Sequence, residues 1–132
     1  MKIQNFLLVL VVISGLLLAA HFMGLWVQLG AHPWWSASAT YIGIAGGVVV
    51  TALSYWKLPR TPNSTMMQAA GFAILATAAI GTSSYGKRGF AASYAEDAQA
   101  GQIWYFGFIA FVFAVFCTLA ALSRYIRRKS AE

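Results

Sequence analysis

Four long apolar stretches alternate with short polar connections along the chain. They run over residues 6–29, 39–56, 66–83 and 103–124, and no Asp, Glu, Lys or Arg lies in the interior of any of them. A helix of about 20 predominantly apolar residues crosses the roughly 30 Å of hydrocarbon in a bilayer. Because each stretch is apolar throughout, without the alternation of a membrane β-barrel, helices are predicted. The pattern therefore predicts an all-α integral membrane protein, with residues 1–132 forming one domain of four transmembrane helices in an up-down bundle.

The first stretch begins in the manner of a secretory signal, with Lys2 followed by an apolar run. The run continues through Leu29, over roughly 24 residues, whereas the apolar core of a cleavable signal has about 7–15. We therefore expect an uncleaved first span. After it, residues 32–35 (His-Pro-Trp-Trp) predict a turn with two tryptophans at the bilayer interface, and Ser36 or Ser38 is available to cap the second helix.

The second connection combines helix-breaking and helix-starting residues. Pro59 and Pro62 interrupt the chain after the second apolar stretch, because proline lacks the backbone N–H that a helix interior requires. Thr65 followed three residues later by Gln68 matches a capping box, in which each side chain accepts a hydrogen bond from the other residue's backbone N–H. We therefore expect the third helix to begin near Thr65.

The third connection is predicted to be the longest loop, over residues 84–102. Within it Ser93 and Glu96 again have the spacing of a capping box, so a short surface helix is expected to lead into the fourth span. Glu96 and Asp97 are adjacent acids that would form a metal site with His32 if the fold brought the three together. We interpret them instead as solvated loop charges, and no metal site is predicted.

Composition excludes the soluble classes of protein. Of the 132 residues, 60% are apolar and 9% are charged, whereas a soluble domain has about 25% charged residues. A domain of this size cannot bury so much apolar surface and still cover itself with polar groups. Soluble enzymes, nucleic-acid-binding modules and disordered chains are thereby excluded. A disulfide scaffold is excluded as well, because Cys117 is the single cysteine.

The distribution of basic residues predicts the orientation in the membrane. The chain has a net charge of +6, and cytoplasmic connections are the ones enriched in Lys and Arg. With a cytoplasmic N-terminus, two basic residues lie outside, Lys87 and Arg88, and seven lie inside: Lys2, Lys57, Arg60, Arg124, Arg127, Arg128 and Lys129. We therefore predict a bacterial inner (plasma) membrane protein with both termini cytoplasmic. The last four bases are expected to contact anionic lipid headgroups, and no nucleic-acid partner is expected.

Small residues at four-residue spacing form a row on two of the spans, and such rows let helices approach closely in lipid. The second span carries Ala39, Gly43, Gly47 and Thr51, and the third carries Ala69, Ala73, Thr77 and Gly81. Each row either joins helices of this chain or binds a partner subunit or a second copy, and the sequence leaves both open. The fourth span is surrounded by aromatic residues instead, of which Trp104 and Tyr105 are expected to form a lipid-facing belt.

Polar residues recur every seven positions in the first span. Ser14, His21 and Gln28 would thus share one helix face, and an ionisable side chain inside a membrane is a functional candidate by default. A neutral imidazole is able to ligate a haem iron, a pigment magnesium or copper, or to relay a proton. The alternative is a structural histidine that is hydrogen-bonded to a neighbouring helix.

No catalytic motif accompanies these features. The spans lack membrane-embedded acids, and the chain has no nucleophile elbow, phosphate loop, HExxH or CxxC motif. The preferred hypothesis is a non-catalytic subunit of a larger membrane complex, with energy-transducing complexes among the candidates. Two alternatives stay open. One is a membrane enzyme or a haem- or pigment-binding protein that uses His21. The other is a homo-oligomeric channel or carrier for a neutral or weakly polar solute. Its pore would be lined by Ser14, His21, Gln28, Thr51 and Thr77.

Overall fold

The computed structural model describes residues 2–58 and 61–130, which contain four helices long and apolar enough to span a membrane. These are α1 (Ile3–Phe22), α3 (Ser36–Lys57), α4 (Pro62–Ala92) and α5 (Ala98–Lys129), with a short helix α2 (Leu25–Gln28) after the first. The all-α class and the four apolar helices are confirmed. Pro59 and Arg60, which the sequence interprets as a helix break and as one of the inner cations, lie outside the described residues.

The first apolar stretch is not one helix. α1 ends at Phe22, and Met23 and Gly24 form a turn before α2 begins. Gly24 has a φ of 76°, a left-handed conformation that glycine adopts without the steric cost of a Cβ. The prediction of a continuous span over residues 6–29 is therefore wrong in its C-terminal part.

α4 and α5 are much longer than their apolar stretches. They have 31 and 32 residues, which corresponds to about 46–48 Å at 1.5 Å per residue. The predicted loop over residues 84–102 is wrong, since only residues 93–97 connect the two helices. The apolar pattern identifies the part of a helix that can lie in the hydrocarbon of a bilayer. Both helices extend beyond that part and remain packed against each other.

The start of α4 differs from the predicted capping box. α4 begins at Pro62, whose fixed φ suits the first turn of a helix. Thr61 is the N-cap, and its Oγ1 accepts a hydrogen bond from the Ser64 N–H at 3.2 Å. The box at Thr65 and Gln68 is therefore wrong, because Thr65 already lies inside the helix and the Gln68 side chain bonds to α5.

The other two predicted caps are also different. Asp97 caps α5, and its carboxylate accepts from the Ala100 N–H at 3.0 Å. Ser93 does not start a surface helix; its Oγ accepts from the Asp97 N–H within the connecting turn. Neither Ser36 nor Ser38 caps α3, because both hydroxyls donate to carbonyl oxygens of the preceding turn.

α5 is the central helix of the fold, and α1, α3 and α4 each pack along it. Its side chains Phe108, Val112 and Phe116 are completely buried. Gly43 of α3 lies against Val112, and Gly47, one turn later, lies against Phe116. The contacts advance in the same direction along both helices, so α3 and α5 run parallel.

α4 lies on the periphery. Ser83 near its C-terminal end bonds to Trp104 near the start of α5, and Gln68 near its beginning bonds to Arg124 near the end of α5. The two helices therefore run antiparallel. Among the described helices α5 alone packs along α4, which leaves the opposite side of α4 open.

Candidate functional site

The small-residue row of α3 faces α5. All four of its residues are buried: Ala39, Gly43, Gly47 and Thr51. A Cβ built on Gly47 would lie 2.6 Å from the ring of Phe116, and one on Gly43 would lie 2.7 Å from the Val112 side chain. The absence of a Cβ at these glycines lets α3 approach α5, so this row packs within the chain.

The small-residue row of α4 faces away from the rest of the chain beyond its first member. Ala69 is buried, but Ala73, Thr77 and Gly81 are exposed, and a Cβ added to Gly81 would meet no atom within 4 Å. The middle of the row forms a shallow open depression, lined by Ala73, Ile74, Thr77 and Ala78. We name the exposed face formed by Ala73, Thr77 and Gly81 of α4 the outer row.

A close contact between the backbones of α4 and α5 involves two glycines that the sequence interpretation missed. A Cβ on Gly86 would press against the backbone N of Trp104 and lie 2.7 Å from the Ala100 carbonyl oxygen. A Cβ on Gly107 would lie 2.8 Å from the backbone N of Ser83. Between them the Ser83 hydroxyl donates to the Trp104 carbonyl at 2.8 Å. The sequence interpretation did not identify Gly86 as a packing residue, because its segment was predicted to be a loop.

Aromatic side chains fill the junction between the first connection and α5. Trp104 does not face lipid as predicted; it is buried, and its Nε1 donates to the Gly30 carbonyl at 2.8 Å. Tyr105 is half-buried, with its hydroxyl 3.2 Å from the Ser38 Oγ. A cavity of about 220 Å³ opens here, lined by His32, Trp34, Trp35, Phe90, Gly101 and Trp104. The aromatic residues of this end therefore pack on one another, which composition alone does not reveal.

His32 and the two adjacent acids do not form a metal site. The Nδ1 of His32 accepts from the Trp34 N–H at 3.2 Å, while Asp97 is engaged as the cap of α5. In residues 2–58 and 61–130 no three His, Cys, Asp or Glu side chains lie close enough together to hold a metal ion.

The predicted polar face of the first span is interrupted by the turn at Gly24. Ser14 and His21 lie half-buried on α1, but Gln28 is exposed on α2, so the three do not share one helix face. The Nδ1 of His21 is buried and has no hydrogen-bond partner in the described part of the chain, and the same is true of the Trp26 Nε1. Two side-chain nitrogens near the end of the first apolar stretch are thus left unpaired among the described residues.

The threonines proposed to line a channel do not share a surface within one chain. Thr51 is buried between α3 and α5, where its Oγ1 lies 3.9 Å from the Cys117 Sγ. Thr77 belongs to the outer row, and its hydroxyl donates to the Ala73 carbonyl of its own helix.

Positive charge gathers where α3 and α5 end and α4 begins. We name this region the basic end; its described cations are Lys57, Arg124, Arg127, Arg128 and Lys129. Arg124 is only 5% exposed and donates from one terminal nitrogen to the Gln68 Oε1 at 2.8 Å. Arg128 donates to the Thr61 carbonyl at 3.1 Å. Arg127 and Lys129 are exposed, so two of the four predicted headgroup-binding residues reach α4 and two do not.

No protein-family model matches the sequence, and neither a curated protein nor a solved structure gives a match.

Proposed function

We propose that this chain is a non-catalytic subunit of a larger membrane complex, energy-transducing complexes being among the candidates, and that the outer row of α4 binds a neighbouring helix. The observation that carries the proposal is the exposure of Ala73, Thr77 and Gly81 on a helix with one packed side. In lipid the hydrophobic effect does not drive helices together, so association depends on the close approach that small residues allow. Another membrane subunit, or a second copy of this chain, is the partner.

The proposed orientation places both termini in the cytoplasm of a bacterium, with the four spans crossing its inner membrane up and down. In support, the cations of the basic end lie together, and the stacking of Phe6 on Tyr55 at 4.2 Å sets the start of α1 beside the end of α3. Lys87 and Arg88 belong to the opposite end of α4. Connections rich in Lys and Arg stay on the cytoplasmic side, where anionic headgroups surround them.

Substitution in the outer row tests this proposal because the row is not needed for the chain's own packing. Ala73→Leu adds bulk where a partner helix would approach, and Ala19→Leu makes the same change at an exposed position on α1. The tagged full chain is purified from its native membrane in mild detergent, and companion proteins are quantified by mass spectrometry. We expect Ala73→Leu to reduce the recovered amount of a companion protein at least about fivefold, because overpacking an interface is destabilising. We expect Ala19→Leu to leave that amount unchanged. A wild-type chain that purifies as a stable monomer without companions, or equal recovery in both variants, would refute the proposal.

A second candidate function, haem or pigment binding, is favoured by the unpaired Nδ1 of His21. An imidazole nitrogen with a free lone pair is a common ligand of iron or magnesium. The test is the absorption spectrum of the protein purified from its native membrane. A visible band that His21→Ala removes and His32→Ala retains supports this function, and a colourless wild-type protein rejects it.

A further inference from the structure

A positive charge is buried inside the basic end without a negative partner. Arg124 lies in the last two turns of α5 and is 5% exposed, with one hydrogen bond, to the neutral Gln68 amide oxygen. Its Nε is buried and has no partner among the described residues. Taking a charge out of water costs several kcal/mol unless an opposite charge and good hydrogen bonds compensate for it. One neutral acceptor does not provide that compensation.

The chain offers no carboxylate near this site among its described residues. Glu96 and Asp97 precede α5 and are about 40 Å from Arg124, since 27 helical residues at 1.5 Å each separate them. Glu132 lies outside the described residues. Arg127, Arg128 and Lys129 in the last turn of α5 add to the positive potential at this end. Within residues 2–58 and 61–130, the buried guanidinium therefore has no carboxylate to balance its charge.

Arg128 completes a pair of guanidinium groups directed at the start of α4. Residues four apart lie on one helix face, about 5–6 Å between Cβ atoms, and Arg128 reaches the Thr61 carbonyl beside the first turn of α4. Each guanidinium has five N–H donors, and toward the described residues each uses one. Forked donors of this kind match the oxygens of a phosphate group, which accept two parallel hydrogen bonds.

We propose that Arg124 and Arg128 form a specific binding site for the phosphate group of an anionic phospholipid, between the end of α5 and the start of α4. The site lies where two apolar helices end, which is the level of the headgroups in a bilayer. Arg127 and Lys129 contribute only general attraction to the anionic surface. The site requires membrane insertion and does not depend on the partner subunit proposed above, so it is tested on the purified chain alone.

The experiment measures lipid binding by native mass spectrometry of the full chain in detergent. Phosphatidylglycerol is titrated against phosphatidylcholine at high salt, because nonspecific attraction is largely screened when the Debye length falls toward about 3 Å. Arg128→Gln and Arg124→Gln are compared with Arg127→Gln, which removes the same charge from an exposed position on the same turn of α5.

We expect preferential binding of phosphatidylglycerol that falls about tenfold in Arg128→Gln and Arg124→Gln, as for the loss of a hydrogen bond to a charged group, and is unchanged in Arg127→Gln. Should Arg124→Gln fail to fold, Arg128→Gln alone decides. Three results overturn the proposal: no preference for the anionic lipid, an equal loss in Arg127→Gln, or complete displacement of the lipid by millimolar inorganic phosphate, which would identify free phosphate as the ligand. A missing partner subunit would change none of these readings.

Discussion

Replacing Gly86 with alanine should force α4 and α5 apart at their closest contact. The new Cβ would lie 2.7 Å from the Ala100 carbonyl oxygen and 2.9 Å from the Ile103 carbonyl carbon, and all its nearest neighbours are backbone atoms. Ordinary contact begins near 3.4 Å, so the helix backbones must separate locally by at least about 0.7 Å, because the Trp104 backbone N lies closer still. A backbone cannot rotate aside as a flexible side chain does, and overpacking a well-packed site costs about 1–3 kcal/mol. The separation also stretches the neighbouring Ser83–Trp104 hydrogen bond, and intramembrane hydrogen bonds contribute about 0.6–1.7 kcal/mol.

The matched control for this substitution lies on the same helix. Gly81→Ala meets no atom within 4 Å, and alanine is favoured over glycine in a helix interior by up to about 1 kcal/mol. Unfolding of both variants in detergent, followed by tryptophan fluorescence, should therefore show Gly86→Ala at least about 1 kcal/mol less stable than wild type and Gly81→Ala as stable or more stable. Equal stability of the two variants would refute the close backbone contact from which the magnitude is derived.

Three further predictions follow from the packing and the proposed orientation. Gly47→Ala should destabilise the α3–α5 contact by about 1–3 kcal/mol, and adding Phe116→Leu should restore part of that loss, which a double-mutant cycle would measure. Trp104→Phe should lower the free energy of unfolding by about 1 kcal/mol, because the Gly30 carbonyl loses its donor; wild-type stability would contradict this. A membrane-impermeant maleimide should label Lys87→Cys in intact cells and Arg127→Cys only after lysis, in a Cys117→Ala background, whereas labelling of both from the same side would exclude the proposed topology.

The central parts of the spans could be predicted from the sequence, because a helix needs a run of about 20 apolar residues to cross the hydrocarbon of a bilayer. Helix ends could not, because hydrogen bonding continues a helix wherever packing supports it. Residues 84–92 illustrate this, since they are polar enough to suggest a loop, yet Gly86 keeps them packed on α5. The turn at Gly24 shows the opposite error, because its residues are apolar and the break depends on one left-handed glycine.

The residues of the candidate sites could be identified from the sequence, but the sequence did not show which of them lie next to each other in the fold. The rows of α3 and α4 look equivalent in sequence, with small residues at the same spacing, yet one is buried and the other open. The difference arises from which side of each helix meets α5, and a single helix pattern does not contain that information. The pairing of Arg124 with Gln68 was equally hidden, since the two lie 56 positions apart.

The side chains of α5 indicate what kind of helix would fit the outer row. α5 presents bulky residues, Val112 and Phe116, to the glycines of α3, and presents its own Gly107 to the backbone of α4. Close contacts in this fold thus pair a large residue or a backbone with a position that lacks a Cβ. Gly81 is such a position, Ala73 and Thr77 are nearly as small, and none of the three has a large counterpart in the described chain. We therefore expect the complementary partner to be a helix with bulky apolar residues at four-residue spacing. A photo-crosslinker at Thr77 should therefore capture a segment rich in Phe, Leu, Ile or Val, and capture of a polar loop instead would show that the outer row is not a helix-packing surface.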